Sequence, residues 1–227
     1  MPNLFEQPAT NNVPRATPIA AYIMAGGGST RFGQDKARAI LAGQPMLTRM
    51  CNLLSAVTTS IRIVAPPNRY EFATVPIIED RWPGEGPLGG IITALLHSRD
   101  AEARHAVPAA ADGWNLILSC DMPFLTTEFL TYMRDFAQAS SAKAIVPESA
   151  QGREPLCACW QTSTAAQLQS SFESGMRRVN DALKLLNAEV LDESHWKRFD
   201  SAGRLFWNMN TPADYAEAQR IVATEPI

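Results

Sequence analysis

The apolar run Ile19–Met24 stops at three consecutive glycines, Gly26, Gly27 and Gly28, and Arg31 and Lys36 follow shortly after. A short unbroken apolar run of this kind is the pattern of a strand buried in a sheet. The loop beyond it is built to bring backbone close to something bulky and negatively charged. Glycine permits the tight conformations and lets amide N–H groups face inward as an anion nest. Arg31 would add a planar fork of donors and Lys36 a compact point charge. A nucleotide phosphate is the natural guest of such a loop, although the three glycines alone also suit a plain chain reversal.

Two familiar phosphate loops do not account for the spacing. Gly28 and Gly33 are set as in a P-loop, but Gln34 and Asp35 stand where that loop has Lys and Ser or Thr. A dinucleotide fingerprint begun at Gly26 and Gly28 would need its third glycine at Arg31. The distances from the glycines to Arg31 and Lys36 are therefore the informative quantity.

The remainder of the chain alternates strand-like and helix-like stretches. Apolar residues at Met46, Leu47, Met50, Leu53, Leu54 and Val57 recur with helical spacing over residues 45–57. Short strands are expected at residues 61–65, 75–78, 114–119 and 144–146, and helices at residues 87–97 and 126–138. Such alternation predicts an α/β fold with a mostly parallel, doubly wound central sheet. Ligands of those sheets bind beyond the carboxyl ends of the strands, which makes the loops at Gly26, Asp80 and Asp121 expected neighbours. Beyond residue 152 the pattern predicts strands at residues 155–160, 189–191 and 205–207 and helices at residues 165–172 and 176–186. Residues 101–111, rich in alanine, read as a surface linker.

Length allows one sizeable domain, and no internal boundary is evident in the 227 residues. Residues 1–17, rich in Pro, Asn and Thr, read as a disordered extension ahead of a single domain over residues 18–227. A formal net charge of −3 offers no basic field for polymeric nucleic acid or an anionic membrane. No apolar run reaches the ~20 residues a membrane span needs. The four cysteines lack the paired spacing of a zinc site and read as buried free thiols of a reducing cytoplasm. The three histidines sit at unrelated places, and the sequence suggests no set of one with a serine and a carboxylate.

Asp121 closes the most apolar of the predicted strands, and a carboxylate there suits Mg²⁺, a hard cation taking one or two carboxylates plus phosphate oxygens. It equally suits a turn before Pro123. Asp80 is a second strand-end carboxylate, and residues 84–90 form a second glycine cluster, fit for tight helix packing or for close approach to a ligand. Near the C-terminus Thr211, Pro212 and Asp214 spell a helix cap, which leaves Asn208 and Asn210 unexplained. Arg153, Arg177 and Arg178 read either as solvated surface charges or as cations for a phosphorylated ligand.

Taken in order, residues 24–36, Gly86-Pro87-Leu88-Gly89-Gly90, Cys120-Asp121-Met122-Pro123 and Asn208-Met209-Asn210-Thr211-Pro212 resemble the molybdenum cofactor guanylyltransferases. Asp35 directly before Lys36 and the Asn-x-Asn-Thr-Pro ending narrow the resemblance to the guanylyl branch. It implies a Rossmann-like, three-layer nucleotidyltransferase fold and an enzyme that transfers GMP from GTP to the terminal phosphate of molybdenum-loaded molybdopterin, releasing pyrophosphate. It implies that Met24, Ala25, Gly26 and Gly27 lie along the nucleotide with Asp80 in its pocket. Arg31 and Lys36 would meet the phosphates, Asp121 would hold Mg²⁺, and Asn208 and Asn210 would lie near the metal or the acceptor. It further implies a cytoplasmic enzyme with other cofactor-biosynthesis proteins as partners, and neither nucleic acid nor membrane. Departures are Met24 for a usual Leu, Phe32 for a usual Met, and Pro66 where such enzymes often carry Asn, with Asn68 the nearest amide. A cytidylyl or sugar-phosphate transferase of the same fold, or a nucleotide-binding module without turnover, remain the alternatives.

Overall fold

The structure, a computed structural model, describes residues 19–26, 32–104 and 112–225. The expected extension over residues 1–17, together with Gly27 and Arg31, lies outside the described residues.

The strands in chain order are β1 (Ile19–Met24), β2 (Ile40–Leu41), β3 (Gln44–Pro45), β4 (Ile61–Ala65), β5 (Ile77–Glu79), β6 (Trp114–Ser119), β7 (Ala144–Ser149), β8 (Gly152–Arg153), β9 (Cys157–Gln161) and β10 (Glu189–Leu191). The helices are α1 (Met46–Ser55), α2 (Pro87–Arg104), α3 (Thr127–Ala139), α4 (Ala165–Glu173), α5 (Val179–Leu185), α6 (Glu193–Trp196) and α7 (Pro212–Thr224). The central sheet runs β10-β7-β9-β6-β1-β4-β5, with β8 paired to β7. Pairing is parallel for β1 with β4 and β6, for β4 with β5 and for β7 with β10; β9 and β8 run against their neighbours.

Alternation along β1 explains the layers. Ala21 and Ile23 face a core closed by α1 and α3, while Tyr22 faces a second core closed by α2, α4 and α5. Both faces of the strand are buried, and it therefore has no polar side. The connection from β1 to β4 passes through α1 on one face, and that from β5 to β6 through α2 on the other. The winding thus reverses between β1 and β6, where Met24 lies opposite Ser119. A third, smaller core joins the β2–β3 hairpin to α7 through Phe32, Leu41, Met46, Met209 and Ile221.

Several expectations shift. Residues 205–207 form a turn rather than a strand: Asp200 Oδ1 accepts from the Arg204 amide at 2.7 Å and Arg204 O from the Trp207 amide at 2.9 Å. Leu205 and Phe206 plug the core beside Trp196 instead of pairing in a sheet. Residues 101–104 continue α2, since alanine is the best helix former and reads as linker only by its blandness. Residues 105–111 lie outside the described residues. The expected helix at 176–186 starts only at Val179: Gly175, at φ +105°, lies just past the end of α4, and Arg178 is still extended where it caps α5. The β2–β3 hairpin turns through Ala42 and Gly43, both at positive φ. Cys157 and Cys159 face one core as expected, and all four cysteines are buried free thiols. No described helix is long and apolar enough to cross a membrane.

Candidate active site

The two strands at the winding reversal deliver the site. The Cys120 amide donates to Met24 O across the strand ends at 3.3 Å, so the glycine loop and Asp121 start side by side. Lys36 follows Asp35, which caps a short 3₁₀ turn (Lys36–Arg38) by accepting from the Ala37 amide at 3.1 Å. That turn aims the Lys36 ammonium at two oxygens, Asp121 Oδ2 at 2.7 Å and Asn210 Oδ1 at 2.8 Å. Lys36 and Asp121 are 16% and 13% exposed, so each has lost most of its water and depends on the other.

Each member is held by a further contact. Asp121 Oδ1 accepts from the Ser119 hydroxyl at 2.5 Å, and Asp121 O from the Met209 amide at 2.9 Å. Asp214 Oδ2 accepts from the amides of Asn210 and Thr211 at 2.8 Å each, within the capping box that begins α7. Those bonds satisfy the backbone at this helix start and leave the Asn210 side chain free to face Lys36. On the opposite side Tyr70 is fully buried. Its hydroxyl lies 2.7 Å from Ala25 O and 3.1 Å from Asp35 Oδ1, which ties the glycine loop to the Lys36 turn. Burial first, and then the Asp35 charge, push the Tyr70 hydroxyl far above its ordinary range, so it stays a donor. Arg69 Nε completes the set on Asp35 Oδ2 at 3.1 Å. Cys120, buried beside these carboxylates, has its thiol pushed up by desolvation and then by the Asp121 charge.

A cavity of about 350 Å³ opens beyond the strand ends, lined by Met24, Gly26, Asp80, Gly86, Ser119 and Asp121 among others. Asp80 enters it from the end of β5, where its carboxylate accepts from the Trp82 amide at 3.0 Å and lies 3.2 Å from the Thr93 hydroxyl. The glycine cluster divides between its two readings. A side chain at Gly90 would stand 2.1 Å from Met24 Cε, so Gly90 serves helix–sheet packing. Gly84 and Gly86 stand at positive φ with open space around them and line the cavity. Pro66 packs close to Gly26, while Asn68 stands exposed at φ +56° on the loop beyond.

A second, larger cavity of about 730 Å³ is lined by Asn210 together with Arg153, Glu154, Trp196, Lys197, Trp207 and Asn208 among others. Asn208 and Asn210 thus part company: Asn210 meets Lys36, whereas Asn208 donates to Phe206 O at 2.9 Å and faces the larger cavity. Of the three arginines singled out, Arg153 lines this cavity. Arg177 pairs with Glu85 at 2.7 Å and stacks on Phe172, and Arg178 is exposed.

The structure therefore brings Lys36, Asp121 and Asn210 into contact, and Met24, Gly26, Asp80 and Asp121 around one cavity. Ala25 contributes a carbonyl to Tyr70. Sequence reasoning missed Tyr70, Arg69 and Ser119. Tyr70 carries no local signal because its partners lie 35 and 45 residues away. Ser119 was legible in principle, two residues before a strand-end carboxylate.

Mg²⁺ fits this donor set. An ammonium already sits between the Asp121 and Asn210 oxygens, so these two hard donors converge on a cation. Among the described residues no group of three or more His, Cys, Asp or Glu side chains forms an all-protein cage. One carboxylate and one amide oxygen match a metal that arrives with its phosphates.

Comparison with known proteins agrees with the fold. The profile of the MobA-like NTP transferase domain matches residues 21–189. A probable molybdenum cofactor guanylyltransferase of Deinococcus radiodurans is 32% identical over 202 residues, spanning 88% of this chain and 93% of its own. Another of that description, from a Nostoc species, is 31% identical over 206 residues, spanning 88% and 90%. Among solved structures, the molybdopterin-guanine dinucleotide biosynthesis protein A of Archaeoglobus fulgidus superposes with a TM-score of 0.74 at 24% identity, covering 90% of this chain and 98% of that one. A CMP:2-keto-3-deoxy-manno-octonic acid synthetase solved with CTP superposes at 0.64 with 13% identity, covering 92% and 100%.

Proposed function

The chain belongs to the MobA-like NTP transferase family, and on that premise we propose that it transfers GMP from GTP to the terminal phosphate of molybdenum-loaded molybdopterin. The observation that carries the proposal is the Lys36 ammonium set between Asp121, which lines the smaller cavity, and Asn210, which lines the larger one. The smaller cavity takes the nucleoside triphosphate along Met24, Ala25 and Gly26, with Asp80 on its wall. The larger one takes the acceptor. An oxygen of the acceptor phosphate attacks the α-phosphorus, a new P–O bond forms, and the bond to the β-phosphate oxygen breaks as pyrophosphate leaves.

Such a transfer needs in-line positioning and neutralisation of charge more than covalent help. Lys36 turns from Asp121 to the phosphates when the nucleotide arrives, and Arg31 adds a second cation from the glycine loop. Asp121 and Asn210 would hold Mg²⁺, and the cation would supply positive charge to the phosphate oxygens. No general base is needed, since the attacking phosphate is already an anion. Pro66, which has no side-chain donor, stands where base-reading contacts are expected, so guanine is read by backbone or by Asn68. Competition of GTP turnover by CTP measures how strictly. The setting is cytoplasmic, alongside the proteins that make and receive molybdopterin.

Asp121→Asn tests the assignment. The amide keeps the volume and an oxygen for Ser119 but removes the charge. Mg²⁺-dependent turnover is expected to fall by about 10³-fold or more, a loss of roughly 4 kcal/mol in transition-state stabilisation, with the fold retained. Turnover within a few fold of the parent enzyme would remove Asp121 from the mechanism.

A further inference from the structure

The larger cavity is richer in carboxylates than an anionic acceptor would require. Most of them are answered by neighbours: Glu148 faces Arg153 at 3.8 Å, Glu193 pairs with Lys197 at 2.8 Å, and Asp192 accepts from Ser194 at 2.6 Å and lies 2.9 Å from His195 Nδ1. Asp200 accepts from the Arg204 amide. Glu154 stands apart. Its one side-chain partner is the Ser149 hydroxyl, 2.6 Å from Oε1, and no cation reaches it among the described residues. Burial holds its acid form favoured above the usual carboxylate range, against the Ser149 bond that lowers it, so the charge is under-compensated.

The backbone fixes Glu154 firmly. Its amide donates to Pro147 O at 2.9 Å and its carbonyl accepts from the Cys157 amide at 2.9 Å. Two residues on, Leu156 O accepts from the Ser119 amide at 2.8 Å and Leu156 lines the smaller cavity. The segment from Glu154 to Leu156 therefore runs from one cavity to the other, with the carboxylate at the end away from the reacting phosphate. Trp196, its indole fixed by donation to Glu148 O at 3.1 Å, and Trp207 also line this cavity.

A lone carboxylate at a cavity meant for an anion repels its ligand unless it meets donors. A pterin carries two adjacent ones, the 2-amino group and N3–H, spaced to match the two oxygens of a carboxylate. Resting on the acceptor assignment above, we propose that Glu154 is the specificity-determining residue that reads this donor edge of the pterin.

The probe is a matched pair of small heterocycles, 6-hydroxymethylpterin and 6-hydroxymethyllumazine, which differ by an oxo group in place of the 2-amino group. Their binding to the full chain and to Glu154→Gln is followed by NMR line broadening of the ring proton. Glutamine keeps an acceptor for Ser149, and unchanged GTP binding serves as the check on folding. The parent protein is expected to prefer the pterin by about tenfold or more, and the variant to bind the two within about twofold. A tenfold preference that survives in the variant overturns the role of Glu154, as does equal binding of both compounds to the parent protein. Binding of neither compound to the parent protein overturns the acceptor assignment and this inference with it.

Discussion

Replacing Gly90 by alanine probes how tightly α2 is set against the nucleotide cavity. The added Cβ would lie 2.1 Å from Met24 Cε, 3.6 Å from its sulfur and 3.8 Å from Val64 Cγ1. Carbon atoms rest at about 3.5–4.0 Å, so the Met24 methyl must retreat by roughly 1.5 Å while Val64 stays in ordinary contact. Methionine is unbranched and gives way readily, at a cost of about 1–3 kcal/mol for a crowded core position. Against that, alanine favours the interior of α2 by about 1 kcal/mol over glycine. The net change in stability is then between roughly zero and 2 kcal/mol, a fall in Tm of at most about 8 °C for a domain this size. Met24 lines the cavity, so the displaced methyl takes room from the nucleotide. KM for GTP should rise about 3–10-fold with kcat little altered, and Met24→Ala in the same chain should restore it. Initial-rate kinetics at saturating acceptor, with a thermal melt of each variant, separate the two effects. An unchanged KM together with a Tm loss above about 10 °C would refute the reasoning, since the backbone rather than Met24 would then have yielded.

Tyr70→Phe removes only the hydroxyl shared by Ala25 O and Asp35. A buried carbonyl left without a donor costs about 1–3 kcal/mol, so Tm should fall by about 3–10 °C and KM for the nucleotide should rise; a parent-like melt and KM would contradict the bridging role. His97 is held neutral by burial and then by the nearby Arg62 charge, and the Tyr22 hydroxyl lies 3.1 Å from its Nδ1. A depressed folded pKa means that its contribution is complete above the unfolded value of about 6.5 and is lost as pH falls toward the lower folded value. Melts between pH 7.5 and 5.5 should show stability falling with acid, less so in His97→Gln; parallel profiles would remove His97 as the source.

The legible part of this protein is what local chemistry writes. Strands β1, β4 and β6 follow from short, mostly apolar runs halted by Gly, Pro or Asp, and the α7 cap from Thr211, Pro212 and Asp214, each determined within a few residues. The expectation that Gly26, Asp80 and Asp121 come together rested on one topological rule, and the cavity lined by all three agrees with it. What stayed hidden depends on distant partners. Tyr70 acquires its role from Asp35 and Ala25, and Leu205–Phe206 looks like a strand until Trp196 is there to pack against. The antiparallel course of β9 is equally silent, since an apolar run buried on both faces carries no mark of direction.

The most direct test of the account is pyrophosphate release with Mg²⁺ and each of the four nucleoside triphosphates, measured with and without molybdenum-loaded molybdopterin. Release is expected with GTP and only when the pterin is present. Release with CTP in place of GTP would contradict the guanine assignment and point to Pro66, and silence with all four would contradict the transfer itself.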